Sequence, residues 1–218
     1  MIEARDRILA RLREGRGPSI SAAVPESPRP TAPIPDAEGM VRRFTERLEA
    51  VRAEVHRTSG NSWTATLWRL CSEKGIGNLL YGSHGPLAPA LSEGTPDSLE
   101  LVPCTEPVEA WKERLFFATD GAVTSAHGGI AETGSLILWP TAAEPRLISL
   151  VPPVHFVVLD IARLYPTFAD AMREQRWSEG LPTNAVLISG PSKSADIEQT
   201  LAYGVHGPKE FIVLLNES

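Results

Sequence analysis

The stretch Val154-His155-Phe156-Val157-Val158-Leu159 is a continuous apolar run, and the amphipathic stretch Ile161 to Trp177 follows it directly. A short apolar run of this kind is typical of a strand that is buried on both faces, and the longer stretch is predicted to be a helix. Short apolar runs alternate with amphipathic stretches from Trp63 to the carboxyl end. This alternation predicts βαβ units, and therefore an α/β fold with a doubly wound, largely parallel sheet.

Seven further strands and four further helices are predicted around this unit. The strands are Asn78 to Tyr81, Leu99 to Pro103, Ala122 to Ser125, Ser135 to Trp139, Arg146 to Leu150, Ala185 to Ile188 and Phe211 to Leu215. The helices are Trp63 to Glu73, Leu87 to Ser92, Pro107 to Thr119 and Ala195 to Tyr203. The two strands on either side of Pro140 to Pro145 are joined by only six residues. Because this is too short for a crossover helix, we expect an antiparallel hairpin inserted in the α/β scheme.

The first 36 residues differ in character from the rest. Ile2 to Glu14 has the pattern of a short, arginine-rich helix, and six prolines follow between Pro18 and Pro35. Proline fixes the backbone φ angle and removes a hydrogen-bond donor, so this segment is predicted to be a linker. The sequence therefore indicates two regions: a helical extension with its linker in residues 1–36, and an α/β domain in residues 37–218.

A further helix is predicted from about Ala37 to Arg57. Its apolar residues follow a spacing of three and four, which places them on one stripe: Val41, Phe44, Leu48, Val51 and Val55. The stripe either packs on the core of the domain or forms the seam of a homo-oligomer.

The charge balance limits the partners of this chain. It carries 21 Lys and Arg residues against 27 Asp and Glu residues, a formal net charge of −6. A general basic field that would hold nucleic acid is therefore not expected. The longest apolar run, Leu147 to Leu159, is interrupted by prolines and is shorter than the roughly 20 residues of a membrane-spanning helix. Since the amino end lacks the apolar segment of a secretory signal, we expect a cytoplasmic protein.

Cysteine and histidine are too scattered for a local metal cluster. The two cysteines, Cys71 and Cys104, lie outside any C-x-x-C motif and are predicted to be buried thiols. The five histidines are never three or four residues apart, so no local zinc-binding pair is formed. No complete glycine motif for a dinucleotide or a nucleotide phosphate occurs. We therefore expect neither a metal nor a cofactor in this chain.

The loop after the predicted strand Ala185 to Ile188 is a candidate anion site. It reads Ser189-Gly190-Pro191-Ser192-Lys193-Ser194 and leads into the predicted helix Ala195 to Tyr203. Free amides at a helix start, serine hydroxyls and a lysine ammonium group together can hold a phosphate or a carboxylate. The candidate residues are Ser189, Gly190, Ser192, Lys193, Ser194 and Asp196. The alternative is a capped helix start without a ligand, because Asp196 and Glu198 already complement the helix dipole.

A second candidate segment, Gly128-Gly129-Ile130-Ala131-Glu132-Thr133-Gly134-Ser135, follows the predicted strand Ala122 to Ser125. Its candidate binding residues are Gly128, Gly129, Thr133 and Gly134. Small and apolar neighbours are expected to desolvate Glu132, which would then be a candidate catalytic base or nucleophile. The alternative is a glycine-rich turn in which Glu132 caps backbone amides. Because the carboxyl ends of parallel strands share one edge, we expect this segment and the Ser189 loop to face each other across a cleft.

Four runs of the sequence resemble, in order and spacing, the LUD-domain family. They are Ile130 to Leu136, Ser149 to His155, Ser189 to Glu198 and Gly204 to Lys209, and the resemblance extends from about Phe44 to the carboxyl end. It implies a fold like that of the sugar-phosphate isomerase and coenzyme A transferase superfamily. It also implies a role in the bacterial oxidation of L-lactate to pyruvate, alongside two iron–sulfur partner proteins. Since this chain lacks cysteine clusters, it resembles the small subunit, and the iron–sulfur clusters are expected on the partners.

Two functions are compatible with these observations. In the first, the chain is a non-redox subunit of an L-lactate utilisation system that binds a small organic acid, a phosphate or its partner subunits. In the second, it is a stand-alone enzyme of the isomerase or acyl/CoA-transferase type with Glu132 as base or nucleophile. The absence of flavin and nicotinamide signatures favours the first function, and a likeness of fold alone does not establish the second.

Overall fold

The computed structural model of the chain describes residues 2–15, 36–105, 108–195, 201–204 and 206–218. The chain divides into two units, Met1–Ile34 and Pro35–Ser218. The first unit contains helix α1 (Ile2–Glu14), at the position that the sequence predicts. Two of its apolar side chains, Ile8 and Leu12, are 60% and 64% exposed. These side chains therefore build no core of their own.

The second unit is an α/β structure. Within its described residues, the helices are α2 (Ala37–Glu49), α3 (Ser62–Glu73), α4 (Ala88–Ser92), α5 (Val108–Phe117) and α6 (Phe168–Glu174). The strands are β1 (Glu54–Ser59), β2 (Asn78–Gly82), β3 (Glu100–Cys104), β4 (Gly121–Ser125), β5 (Gly128–Ile130), β6 (Ser135–Leu138), β7 (Val154–Asp160), β8 (Leu164–Tyr165), β9 (Val186–Ile188), β10 (Lys193–Ala195), β11 (Leu201–Tyr203) and β12 (Glu210–Glu217).

Six strands form a wholly parallel sheet in the order β1-β12-β7-β4-β2-β3. The apolar run Val154 to Leu159 lies in β7, between β12 and β4 at the centre of this sheet. Side chains on alternate positions of β7 pack on opposite faces: Val157 joins the core beneath α2, and Phe156 joins the core beneath α3. Helices thus cover both faces of the sheet, which confirms the predicted doubly wound α/β fold.

A second sheet of four short strands has the order β8-β5-β6-β9. Strands β5 and β6 follow β4, and β8 and β9 follow β7. An antiparallel hairpin is present in this sheet, but it pairs β5 with β6, so the predicted pairing of Ser135 to Trp139 with Arg146 to Leu150 is wrong. The predicted pairing partner, Arg146 to Leu150, is instead a 3₁₀ turn over Arg146–Ser149 that buries Ile148 completely. The predicted parallel strand Ala185 to Ile188 was also misplaced, since β9 pairs antiparallel with β6. A short apolar run does not indicate which strand it pairs with, because strand pairing depends on residues that are distant in sequence.

The predicted helix Ala195 to Tyr203 is wrong. Its described residues belong to an antiparallel hairpin of β10 and β11, in which Ala195 pairs with Leu201. The hairpin is anchored at its base, where the Gly204 amide donates to the Ser192 carbonyl at 3.0 Å and the Ser192 amide donates to the Pro208 carbonyl at 2.8 Å. These non-local hydrogen bonds outweigh the serine and acidic residues that favour a helix start.

Two predicted helices are shorter than expected. Helix α2 ends at Glu49, and Arg52, with a φ of +69°, precedes the edge strand β1. The predicted helix Ile161 to Trp177 is divided into a 3₁₀ turn over Ile161–Arg163, strand β8 and helix α6. Helix α6 begins after Thr167, whose hydroxyl accepts from the Asp170 amide. In both cases a local change of backbone direction divides a stretch whose apolar spacing is continuous.

Candidate functional site

A cleft of about 490 Å³ lies at the carboxyl edge of the parallel sheet. Ser125, Asp160 and Asn216 line it from the carboxyl ends of β4, β7 and β12. The remaining lining residues are Trp63, Pro86, Leu87, Ala126, His127, Trp139, Thr141, Glu144, Val158, Arg163 and Ser218. Ligands of open α/β sheets bind at this edge, and a volume of about 300–1,000 Å³ is usual for a small-molecule site. The cleft is therefore the candidate functional site of this chain.

Glu144 is a partly buried acidic group of the cleft. Its carboxylate accepts from the Ser125 hydroxyl at 2.6 Å and from the Ser125 amide at 3.3 Å. Burial raises the pKa of Glu144, and the two hydrogen bonds from Ser125 act in the opposite direction without cancelling the effect. Among the described residues Glu144 forms no ion pair. The cleft therefore holds a carboxyl group with an increased affinity for a proton.

The loop that carries Glu144 fits against two glycines, one at the end of β2 and one just after it. A Cβ atom on Gly82 would lie 2.2 Å from the Ala143 carbonyl oxygen, and one on Gly85 would lie 2.8 Å from Glu144 Oε1. The Thr141 hydroxyl accepts from the Ala143 and Glu144 amides, which fixes the turn of the loop. Since neither glycine has a positive φ, their role is to admit the Glu144 loop.

His127 and Arg163 form a second part of the cleft. The His127 ring packs on Trp139 with centroids 4.1 Å apart, and its backbone carbonyl accepts from Gln175 Nε2 at 3.1 Å. Burial, and then the nearby Arg163 guanidinium, lower the pKa of His127, so the imidazole is neutral at pH 7. Arg163 is exposed, and it makes no ion pair with the described part of the chain. It is thus a positive charge available to a ligand.

The ends of β7 and β12 supply further polar groups. The Asp160 carboxylate accepts from the Ala162 amide at 2.9 Å and from the Ser218 hydroxyl at 2.8 Å. Asn216 is buried, and its amide oxygen accepts from the Thr58 hydroxyl at 2.9 Å. Because that oxygen is engaged, the amide nitrogen of Asn216 is the group that remains to donate to a ligand.

The two predicted ligand loops do meet, but at a different place. The hydroxyls of Thr133 and Ser135 are 2.7 Å apart, and those of Ser135 and Ser189 are 2.6 Å apart. Gly134 and Gly190, both with positive φ, face α2 and the turn after it, where a Cβ would meet Arg47 or Val51. Neither loop contributes to the cleft lining. The hydroxyls therefore link the two loops, and the two glycines leave room for α2 and its C-terminal turn.

The remaining candidates of the glycine-rich segment have packing contacts or are exposed. A Cβ on Gly128 would meet Gln175 and Tyr165, and one on Gly129 would meet Leu159 and Leu164. The Glu132 side chain is exposed, so the expected desolvation of this carboxylate is wrong. The roles of these residues in binding and catalysis stay predictions.

The candidate anion-binding residues of the Ser189 loop that the structure describes do not lie at a helix start. Ser192 packs against Gly207, Lys193 is exposed, and Ser194 lies in β10. Asp196 lies outside the described residues. Because the helix that was to supply the free amides is replaced by the hairpin, the structure removes the basis of the predicted anion site.

Sequence reasoning missed the residues that line the cleft. Four of them, His127, Asp160, Arg163 and Asn216, lie at or just after the carboxyl end of a correctly predicted apolar strand. The rule that ligands bind at this edge therefore could have found them. Glu144 lacks such a signal, because it does not follow a predicted parallel strand and lies in the connection of the predicted hairpin.

The described residues were also compared with the requirements of a metal site and of a membrane-spanning helix, and they meet neither. No group of three or more His, Cys, Asp or Glu side chains is arranged there to hold a metal ion. Among the helices of those residues, none has the length and apolar character that crossing a membrane requires.

The fold and the cleft define a doubly wound α/β protein with a polar site at the carboxyl edge of its sheet. The model of the LUD domain matches residues 41–215, so the chain belongs to the LUD domain family, as its four motifs predicted. It is 36% identical to an uncharacterized protein of Neisseria meningitidis serogroup B, over 80% of this chain and 76% of that protein. It is 28% identical to lactate utilization protein C 1 of Bacillus mycoides, over 78% and 75%.

The fold is also that of a solved structure. A DUF162 family protein from Deinococcus radiodurans superimposes with a TM-score of 0.61 at 20% identity, covering 84% of this chain and 99% of that one. The likeness supports the α/β architecture with its six-stranded parallel sheet.

Proposed function

We propose that this protein is a subunit of a bacterial L-lactate utilisation system and that its cleft binds a small organic acid. The names of several relatives at moderate identity, lactate utilization protein C among them, support the first part. In this proposal the electrons of lactate oxidation pass through iron–sulfur partner subunits in the cytoplasm, and this chain contributes a ligand site and contacts with those partners.

The observation that carries the ligand class is the position of Arg163. Arg163 lines the cleft, its charge acts on the neighbouring His127, and it forms no ion pair with any described residue. A carboxylate forms charge-assisted, often bidentate hydrogen bonds with a guanidinium group. The neutral His127 ring and the Asn216 amide add uncharged donors that suit the hydroxyl or carbonyl oxygen of a 2-hydroxy or 2-oxo acid. Trp63, Trp139 and Leu87 form apolar walls around these groups.

The ligand is tested by calorimetric titration of the full chain with L-lactate and with pyruvate. We expect at least one acid to bind, and Arg163→Gln to weaken binding about tenfold or more through loss of a charge-assisted contact. The matched control is Arg69→Gln, which removes an exposed arginine paired with Glu73 on α3. No binding of either acid, or equal affinity in Arg163→Gln, would overturn the proposed ligand.

The subunit role is tested in the source cell. We expect a strain that lacks this gene to lose growth on L-lactate as sole carbon source and to regain it with the wild-type gene. A tagged chain purified without oxygen is expected to retain partners that contain iron. Unimpaired growth of the deletion strain on L-lactate would contradict the proposal.

A further inference from the structure

Glu144 is an acid that the fold places in the cleft without the usual compensation. Its carboxyl group is partly withdrawn from water and is bonded by one residue, Ser125, and by no cation of the described residues. Burial without a cation destabilises the ionised form of a carboxyl group. A carboxylate in this position therefore contributes little to the stability of its loop. Buried carboxyls with a raised proton affinity occur preferentially at functional sites.

The surroundings of Glu144 are shaped to accept it. Gly82 and Gly85 leave the space that the Ala143–Glu144 backbone and the Glu144 side chain occupy, and Thr141 fixes the turn. The same carboxyl lines the cavity that contains Arg163, His127 and Asn216. Proton transfer on an organic acid requires a positioned proton-transfer group and a cation that binds the carboxylate of the substrate. Glu144 and Arg163 supply these two groups in the cleft.

From this geometry we infer that Glu144 is a catalytic group that exchanges a proton with the carbon next to the carbonyl of a 2-oxo acid bound in the cleft. The inference rests on the proposed function, since it uses the acid that Arg163 is proposed to hold. It adds a reaction to what was proposed above as a binding site. The smallest substrate of the class is pyruvate.

The step balances without a further reactant. The Glu144 carboxylate removes a proton from carbon 3, the electron pair of that C–H bond forms the C2–C3 double bond, and the carbonyl π pair moves to oxygen as an enolate. Donors such as the Asn216 amide nitrogen stabilise the charge that develops on this oxygen. The Glu144 carboxyl group then returns a proton to carbon 3. A base with a raised pKa performs this transfer better than an ordinary carboxylate.

The reaction is measured by the loss of the methyl proton signal of pyruvate in D₂O, followed by NMR with the full chain. We expect the wild-type protein to accelerate the exchange about 100-fold or more above buffer, a usual contribution of a general base. Glu144→Gln, which keeps an oxygen that can accept from Ser125, is expected to reduce the rate to the buffer level. Glu113→Gln, an exposed acid of α5, is the matched control and is expected to exchange at the wild-type rate.

Calorimetry on the same samples separates the two proposals. Glu144→Gln is expected to bind pyruvate with the wild-type affinity. Glu144→Asp is expected to recover part of the exchange rate. In the wild type, the exchange rate is expected to rise with pH as the Glu144 carboxyl group ionises. Pyruvate binding by the wild type with exchange no faster than in Glu144→Gln would overturn the proton transfer and leave the ligand intact. Absence of pyruvate binding together with absence of exchange would overturn both for 2-oxo acids.

Discussion

At the scale of single residues, His155 shows how burial decides the chemistry of a side chain. It is fully buried in β7, with Nε2 2.9 Å from the Thr124 hydroxyl and its ring packed near Phe211. Among the described residues, Nδ1 has no hydrogen-bond partner. Burial lowers the pKa of His155 to about 3, from an ordinary value of 6.5. The imidazole is therefore a neutral core group and not a proton donor at neutral pH.

This burial predicts a loss of stability in acid. Between pH 6.5 and about 3 the unfolded chain binds a proton at His155 that the folded chain does not bind. The free energy of unfolding should therefore fall as pH is lowered through this window, by up to ~1.4 kcal/mol per pH unit for one proton. His155→Gln, measured by urea unfolding between pH 4 and 7, should show a smaller fall.

The control for this prediction is His206→Gln, which removes an exposed histidine of the loop before β12. It should leave the pH dependence of the wild type unchanged. A slope in His155→Gln equal to that of the wild type would show that other groups cause the acid sensitivity.

At the scale of elements, the packing of helix α2 explains the glycine at position 134, which in the sequence is part of a candidate ligand loop. Phe44 and Leu48 are completely buried against β7 and β12. Helix α2 can approach closely because residue 134 has no side chain. A Cβ atom at this position would lie only 3.1 Å from the Leu48 amide nitrogen. Glycine also tolerates the positive φ of +66° at this position. The packing of α2 therefore requires a glycine at position 134.

Helix α2 is accordingly predicted to be an essential part of the core. Phe44→Ala should lower the free energy of unfolding by about 3–5 kcal/mol, because it removes a fully buried ring and leaves a cavity. The matched control is Phe117→Ala at the end of α5, where the ring is 88% exposed. Its effect should stay within about 0.5 kcal/mol. Similar losses in both variants, measured by denaturant unfolding, would refute this account of α2.

At the scale of the whole molecule, the two thiols lie in separate cores of one domain. Cys71 belongs to the cluster beneath α3 and Cys104 to the cluster around Leu80 and Leu115. Both are free and buried, as the sequence predicted. Burial raises the pKa of Cys71 to about 12 and also raises that of Cys104. Since the thiolate is the reactive species, the folded domain suppresses the reactivity of both groups.

Thiol labelling should therefore report global unfolding. With a disulfide reagent such as DTNB, we expect negligible reaction of the folded chain and release of two equivalents in guanidinium chloride. A chain carrying Ser178→Cys, at an exposed position, should add one rapidly reacting thiol. Rapid labelling of the native wild-type chain would show that one of the two cores opens locally.

Much of the fold was predictable because its strongest signals are local. The apolar runs of β2, β3, β4, β7 and β12 were assigned within two residues at each end, and their alternation with helices implied the parallel sheet. The weaker segments failed where partners decide the structure. Arg146 to Leu150 has the composition of a strand but packs as a 3₁₀ turn, and residues 193–203 carry helix-start signals but form a hairpin in their described part.

The sequence by itself determined the class of fold, the family and the edge of the sheet where a candidate site is expected, because apolar periodicity and motif spacing are properties of neighbouring residues. The tertiary structure alone decided which side chains meet at that edge. Glu144 reaches Ser125 across 19 residues, and Gly82 and Gly85 admit its loop from an earlier βα unit. Burial and proximity between distant segments set the protonation of Glu144 and His127, and no local pattern encodes them.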